Sequence, residues 1–220
     1  MKILMVHGWA FGPWIWDEMA DRLKDLLEGE EVQFTQLDFG FFGKPTPLPK
    51  GHFDLAIGHS FGLLWLLQTP LVAFDRLIAV NGFTRFSADT DFQCGWPHRI
   101  VQRMRKQLAV DTDLVIGNFM EKSGNTRDFQ NYSDSSAADI VQLDWALEAL
   151  INFDGREQWE QFPGPCRAIA GTQDPIVTPE HTQQCFADSD IQWLKSPSHC
   201  LPIQFPEICA ALVRELIEVS

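Results

Sequence analysis

The sequence predicts an α/β fold in which about six mostly parallel strands carry helices on both faces, with a helical block inserted after the fourth strand. Three observations carry that prediction. Short apolar runs alternate with segments at helical spacing up to Gly82, the pattern of a parallel sheet whose crossovers are helices. From about 84 to 162 the helical period dominates. Strand-like runs then return at 166–171 and 191–195, before a last helix.

"KILMV" (2–6) is compact, apolar and ended by "HGW", as a short buried strand would be. "PWIWDEMADRLKDLL" follows with Trp16, Met19, Leu23, Leu26 and Leu27 on one helical face, and Pro13 suits a first turn. "VQFTQLDF" (32–39) reads as the second strand and runs into the loop "GFFGKPTPLPKG". "DLAIG" is the third strand, "FGLLWLLQ" a buried helix and "RLIAVNG" (76–82) the fourth strand. In the inserted block, "RIVQRMRKQL", "DLVIGNFMEK" and "AADIVQLDWALEALINF" (137–153) keep the helical period. "CRAIAG", a helix near 179–187, "IQWLK" and the helix "FPEICAALVRELIEV" complete the chain. The expected division is a core of 1–83 and 163–220, with 84–162 as a helical lid between the fourth and fifth strands.

Composition narrows the functions. A chain of 220 residues with 17 Phe and 8 Trp can bury one substantial core. Its formal net charge of −13 excludes a broad phosphate-binding surface and so argues against nucleic acid. The cysteines, at 94, 166, 185, 200 and 209, are odd in number and form no C-x-x-C pair. Isolated buried thiols in a reducing compartment are expected, with neither a disulfide framework nor a zinc site. The apolar start is too short for a signal-peptide core, and no apolar stretch would span a membrane. The expected location is the cytoplasm.

"GHSFG" (58–62) places a serine between two glycines where a strand passes into a helix. A turn that tight needs small neighbours, and it lifts the hydroxyl clear of the sheet while the helix points its amides toward it. The plainer reading is a tight turn with an incidental serine. As a nucleophile, Ser60 requires a base. His199, in the loop between the last strand and the last helix, is well placed to reach over the sheet edge. His7 and His59 flank the same region, while His52, His98 and His181 read as solvated or structural. A carboxylate must then orient the base. Asp174, just past the strand at 166–171, is the candidate, with Asp144 and Asp154 as rivals; an Asp before Pro is also a common turn residue. The oxyanion formed by attack on an ester needs donors. The backbone N–H of Phe61 is one, and that of Trp9, in the loop after the first strand, is the other.

Together "HGW", "GHSFG", "GTQDPIV" and "SHCLP" resemble the α/β-hydrolase superfamily across nearly the whole chain. The order Ser60, Asp174, His199 matches the Ser…Asp…His order of that superfamily, and it selects Asp174 over its rivals. The resemblance implies the α/β-hydrolase fold, trimmed to six strands and beginning at what would be the superfamily's third, and a serine hydrolase needing no metal or organic cofactor. More narrowly, "HGW…W" and "FSADTDFQCGWP" are similar to the pimeloyl-acyl-carrier-protein methyl ester esterases of biotin synthesis. That likeness implies a small-molecule or carrier-bound acyl ester as substrate, and an acidic acyl-carrier protein as a possible partner. Arg99, Arg103 and Lys106, at i, i+4 and i+7, are the candidates for docking it, although an ordinary solvated face would look the same. "VDTDLVIGNFM" (110–120) carries no basic residue, where the family leads one to expect docking arginines. Phe83, Phe86, Phe119, Met120, Trp145 and Leu147 are available to line an acyl pocket or simply to fill a core. The alternatives are a general small-acyl carboxylesterase or thioesterase, a lyase using the same triad, and a non-catalytic ligand receptor on the same fold.

Overall fold

The computed structural model describes residues 1–124 and 138–218. Strand β1 (Lys2–Val6) is apolar and buried from Ile3 onward. A 3-10 turn at Pro13–Trp16 then leads into helix α1 (Asp17–Leu26), which buries Met19, Ala20 and Leu23. Pro13 sits in the first turn of the 3-10 segment, where its missing N–H costs nothing. Strand β2 (Gln33–Leu37) follows, then β3 (His52–Phe53), β4 (Leu55–His59) and α2 (Phe61–Gln68). Helix α2 is apolar on all sides and buried from Phe61 to Leu67, as a helix at the centre of a core must be. After β5 (Ala73–Phe74) and β6 (Leu77–Val80) come α3 (His98–Leu108), α4 (Thr112–Lys122), α5 (Ile140–Asn152) and α6 (Arg156–Glu160). The chain ends with β7 (Cys166–Gly171), α7 (Pro179–Cys185), β8 (Ile191–Leu194), α8 (Leu201–Gln204) and α9 (Pro206–Glu218).

The central sheet has the order β2-β1-β4-β6-β7-β8, and every neighbouring pair is parallel. Helices flank it, with α1 packed against α9 and α2 against β4. The chain leaves β1 toward β2 and then crosses to β4 on the other side of β1. Strand order therefore reverses between β1 and β4, and a crevice opens beyond their carboxyl ends. The loops carrying Trp9 and Ser60 both begin there.

The six principal strands fall where the apolar runs predict. Some details differ. Residues 52–53 and 73–74 pair as a separate two-stranded sheet, too short to leave a periodic trace in sequence. Helix α5 starts at Ile140, not 137, because the Asp139 side chain accepts from the Val141 and Gln142 amides and caps it; Ala137 lies outside the described residues, as does Val219. The segment between β6 and β7 adds the short α6 to the three expected helices. Its two edges meet: Arg85 and Asp154 form an isolated antiparallel bridge and an ion pair, and Arg156 also holds Asp154. Cys185, Cys200 and Cys209 are buried, and burial pushes the last two up to about 12. Cys94, by contrast, is exposed, since it lies in the irregular segment before α3. No helix among the described residues is long and apolar enough to cross a membrane.

Candidate active site

Ser60 stands between β4 and α2 with φ 53° and ψ −124°, a backbone state that costs a residue bearing a Cβ and persists only where the surroundings enforce it. The neighbouring glycines show what enforces it. A Cβ on Gly58 would lie 2.5 Å from the Leu63 backbone, and one on Gly62 would overlap the Val6 carbonyl oxygen. No larger residue fits either position while α2 sits this close to β1 and β4. A Cβ on Gly8 would lie 2.8 Å from Ser60 Cβ, so the loop after β1 runs directly past the serine. Trp9, the next residue of that loop, borders the same cavity as Ser60, and Phe61 is the first residue of α2.

His199, between β8 and α8, is fully buried. Its Nδ1 lies 2.7 Å from Asp174 Oδ2, and its Nε2 lies 2.9 Å from Ser60 Oγ. An ionised carboxylate only accepts, so Nδ1 carries the proton and Nε2 is left bare to accept from the hydroxyl. The other Asp174 oxygen accepts from the Ile176 and Val177 amides at 2.7 and 3.0 Å, and the residue is 2 % exposed. A buried carboxylate saturated in this way is fixed in orientation and does not wander. Both rivals are occupied elsewhere: Asp144 holds Arg105, and Asp154 holds Arg85 and Arg156. Burial alone would raise the Asp154 carboxyl, but the arginine bonds outweigh it and hold it at about 2.

Ser60, Trp9 and Phe119 border a cavity of about 460 Å³, within the size range of small-molecule sites. Phe83, Phe86 and Leu147 line it too. Met120 is buried outside this lining, and Trp145 borders a separate groove between α3 and α5.

A family model for the alpha/beta hydrolase family matches residues 3–212. The chain belongs to the alpha/beta hydrolase family. This alpha/beta hydrolase is 26 % identical to a pimeloyl-[acyl-carrier protein] methyl ester esterase of Legionella pneumophila, over 83 % of this chain and 79 % of that protein. It is 21 % identical to one of the same name from Neisseria meningitidis serogroup A, over 99 % of this chain and 77 % of the relative. Among solved structures, an esterase from Exiguobacterium antarcticum superposes with a TM-score of 0.81 at 16 % identity, covering 99 % of this chain and 92 % of that one. A bromoperoxidase from Bacillus anthracis superposes with a TM-score of 0.80 at 15 % identity, covering 99 % and 91 %. At such identities the superpositions speak for the fold.

Within this alpha/beta hydrolase, Ser60, Asp174 and His199 come together, and Trp9 borders the same cavity as Ser60. The three basic candidates separate: Arg103 borders the cavity at Ser60, Lys106 borders the groove between α3 and α5, and Arg99 is exposed and lines neither. Three further residues shape the site. Asn81, left-handed at φ 44° after β6, accepts from the Gly171 amide at 2.9 Å and donates to the Ser198 carbonyl at 3.1 Å. It thus ties the end of β7 to the loop of His199. His59 is fully buried and donates from Nε2 to the His199 carbonyl at 2.9 Å, while its Nδ1 has no partner. Burial first, then the adjacent His199, holds His59 neutral well below the usual histidine range. Ser123, at the end of α4, accepts from the His199 amide at 2.9 Å through its carbonyl oxygen. The Trp9 indole donates to the Leu143 carbonyl in α5 at 3.0 Å. The segment between β6 and β7 therefore holds both the histidine loop and the loop after β1. Trp9 and His59 lie within the motifs "HGW" and "GHSFG"; Asn81 and Ser123 act across chain separations that no local pattern records.

Proposed function

We propose that this chain is a serine carboxylic ester hydrolase working through an acyl-enzyme, and that its substrate is a carrier-linked pimeloyl methyl ester of the kind its relatives are named for. The observation that carries the catalytic part is the continuous line from Asp174 through His199 to Ser60, ending in a mostly apolar cavity. Ser60 Oγ attacks the ester carbonyl while His199 Nε2 takes its proton. Asp174 stabilises the imidazolium, and the Phe61 and Trp9 amides donate to the oxyanion. Collapse expels the alcohol, protonated by His199, and leaves Ser60 acylated. A water then gives its proton to His199, attacks the acyl carbon and releases the acid with Ser60 restored. Losing one oxyanion donor typically costs about 10²–10³ in turnover, so the close passage of the Gly8 loop matters. In this reading residues 84–162 form a lid over the acyl chain, and Arg99, Arg103 and Lys106 offer positive charge to an acidic carrier.

A second reading, hydrolysis of small uncharged acyl esters, draws on the absence of any basic residue from 110 to 120. Turnover of a methyl pimeloyl thioester conjugate beside p-nitrophenyl acetate separates the two. The first reading expects the conjugate to have the higher kcat/KM. A preference for the acetate overturns it.

A further inference from the structure

The cavity at Ser60 is apolar for most of its wall, yet its charged lining residues, among those described, are all cations: Arg103 on α3 and Lys122 on α4. In a chain of net charge −13 that is a local reversal of sign. The two cations are exposed, whereas Ser60, Trp9 and Val101 on the same wall are buried. One cavity is thus bordered both by a buried hydroxyl and by two exposed cations.

Neither cation is in an ion pair among the described residues. Arg85, Arg105 and Arg156, in the same part of the chain, each hold carboxylates. Lys122 instead lies over the Trp96 ring, with Nζ 4.1 Å from its centroid. Trp96 is itself fixed, since its indole donates to the Ile176 carbonyl at 2.7 Å and its ring stacks on Phe86. The aromatic face draws the ammonium against the cavity wall, and partial desolvation of the ammonium lowers its proton affinity although the residue as a whole stays exposed. Asn118 and Gln107 border the same space and add amide donors.

We propose that Arg103 and Lys122 form an anion-binding subsite at the outer end of this cavity, which holds a negatively charged group at the end of the substrate remote from the scissile ester. The inference rests on Ser60 as nucleophile and deepens that reading by naming the charge its substrate carries. The shared chemistry is an oxyanion, either a distal carboxylate on the acyl chain or a phosphate on an arm joined to it. Arg103 and Lys122 each supply charge-assisted hydrogen bonds to such a group. The intervening apolar wall takes the methylene chain, so the subsite sets polarity and register together.

The test compares three methyl esters of one acyl length: the neutral dimethyl ester, the monomethyl ester with a free distal carboxylate, and the methyl ester joined by thioester to phosphopantetheine. Wild type, Arg103→Gln, Lys122→Gln and the double variant are measured, with Lys24→Gln on α1 as a charge-matched control and thermal unfolding to verify folding. The expected result is a wild-type preference for at least one charged ester over the dimethyl ester in kcat/KM. That preference should shrink about tenfold in the double variant, mainly through KM. It should weaken with added salt, and it should persist in Lys24→Gln. A preference confined to the monomethyl ester assigns a carboxylate, and one confined to the phosphopantetheine ester assigns a phosphate. Equal use of charged and neutral esters by the wild type, or a preference the variants leave intact, overturns the subsite while the esterase reading stands. No turnover of any ester sinks both.

Discussion

Asn81→Ala is the substitution whose cost can be worked most directly from the structure. The side chain is 1 % exposed, and it satisfies two buried backbone groups, the Gly171 amide and the Ser198 carbonyl. Each such group left unpaired costs about 1–3 kcal/mol, so the pair amounts to about 2–6 kcal/mol. At the lower end, where water reaches one of them, a domain of this length loses about 4–8 °C in Tm. Alanine also tolerates φ 44° less well than asparagine does. Asn81→Asp is the sharper probe. It keeps an acceptor for Gly171 but sets a carboxylate oxygen against the Ser198 carbonyl, one residue from His199. Turnover should fall with it even where most stability survives. Urea unfolding and ester hydrolysis on both variants check this. An Asn81→Ala protein with wild-type midpoint and turnover would refute the claim that this residue positions the histidine loop.

The stability of the wild type should fall as pH drops below about 6.5. The folded chain keeps His59 neutral while the unfolded chain protonates it, so stability is complete above that pH and is lost below it by up to about 1.4 kcal/mol per unit. His59→Gln should flatten the curve, and an unaltered slope in urea titrations between pH 4.5 and 7 would contradict this. Gly62→Ala should destabilise by about 3 kcal/mol or more, because the added Cβ overlaps the Val6 carbonyl oxygen and lies 2.8 Å from that of His7. Gly117→Ala, on α4 with nothing within 4 Å of the added Cβ, should instead stabilise by about 0.8–1 kcal/mol. Thermal melts of the two would sink the packing argument if both moved the same way.

What the sequence reveals and what it conceals divides by distance along the chain. The strand β4, the glycines at 58 and 62 and the apolar helix α2 form one continuous stretch, so the bend at Ser60 is legible locally. Asp174 and His199 each lie just past a strand whose carboxyl end points to the same edge of the sheet, but it is the superfamily's chain order that singles out Asp174 from Asp144 and Asp154. Asn81 is not, since "VNG" reads as an ordinary strand exit and its partners lie 90 and 117 residues away. The support His199 receives from α4 escapes for the same reason, because it runs through the Ser123 carbonyl, a group every residue possesses. Helical spacing put Arg99, Arg103 and Lys106 on one face but could not tell which of them borders the cavity. Lys122, at the end of the next helix, borders the same cavity as Arg103 only through the packing of α3 and α4, which no helical period encodes.

The central claim, that Ser60 is a nucleophile activated by His199, is tested most directly by reacting the protein with a fluorophosphonate and locating the adduct by peptide mass. One adduct is expected on Ser60 in the wild type and none in Ser60→Ala, with labelling slowed by orders of magnitude in His199→Gln. Labelling that survives in Ser60→Ala at the wild-type rate, or a wild type that does not react, would contradict it.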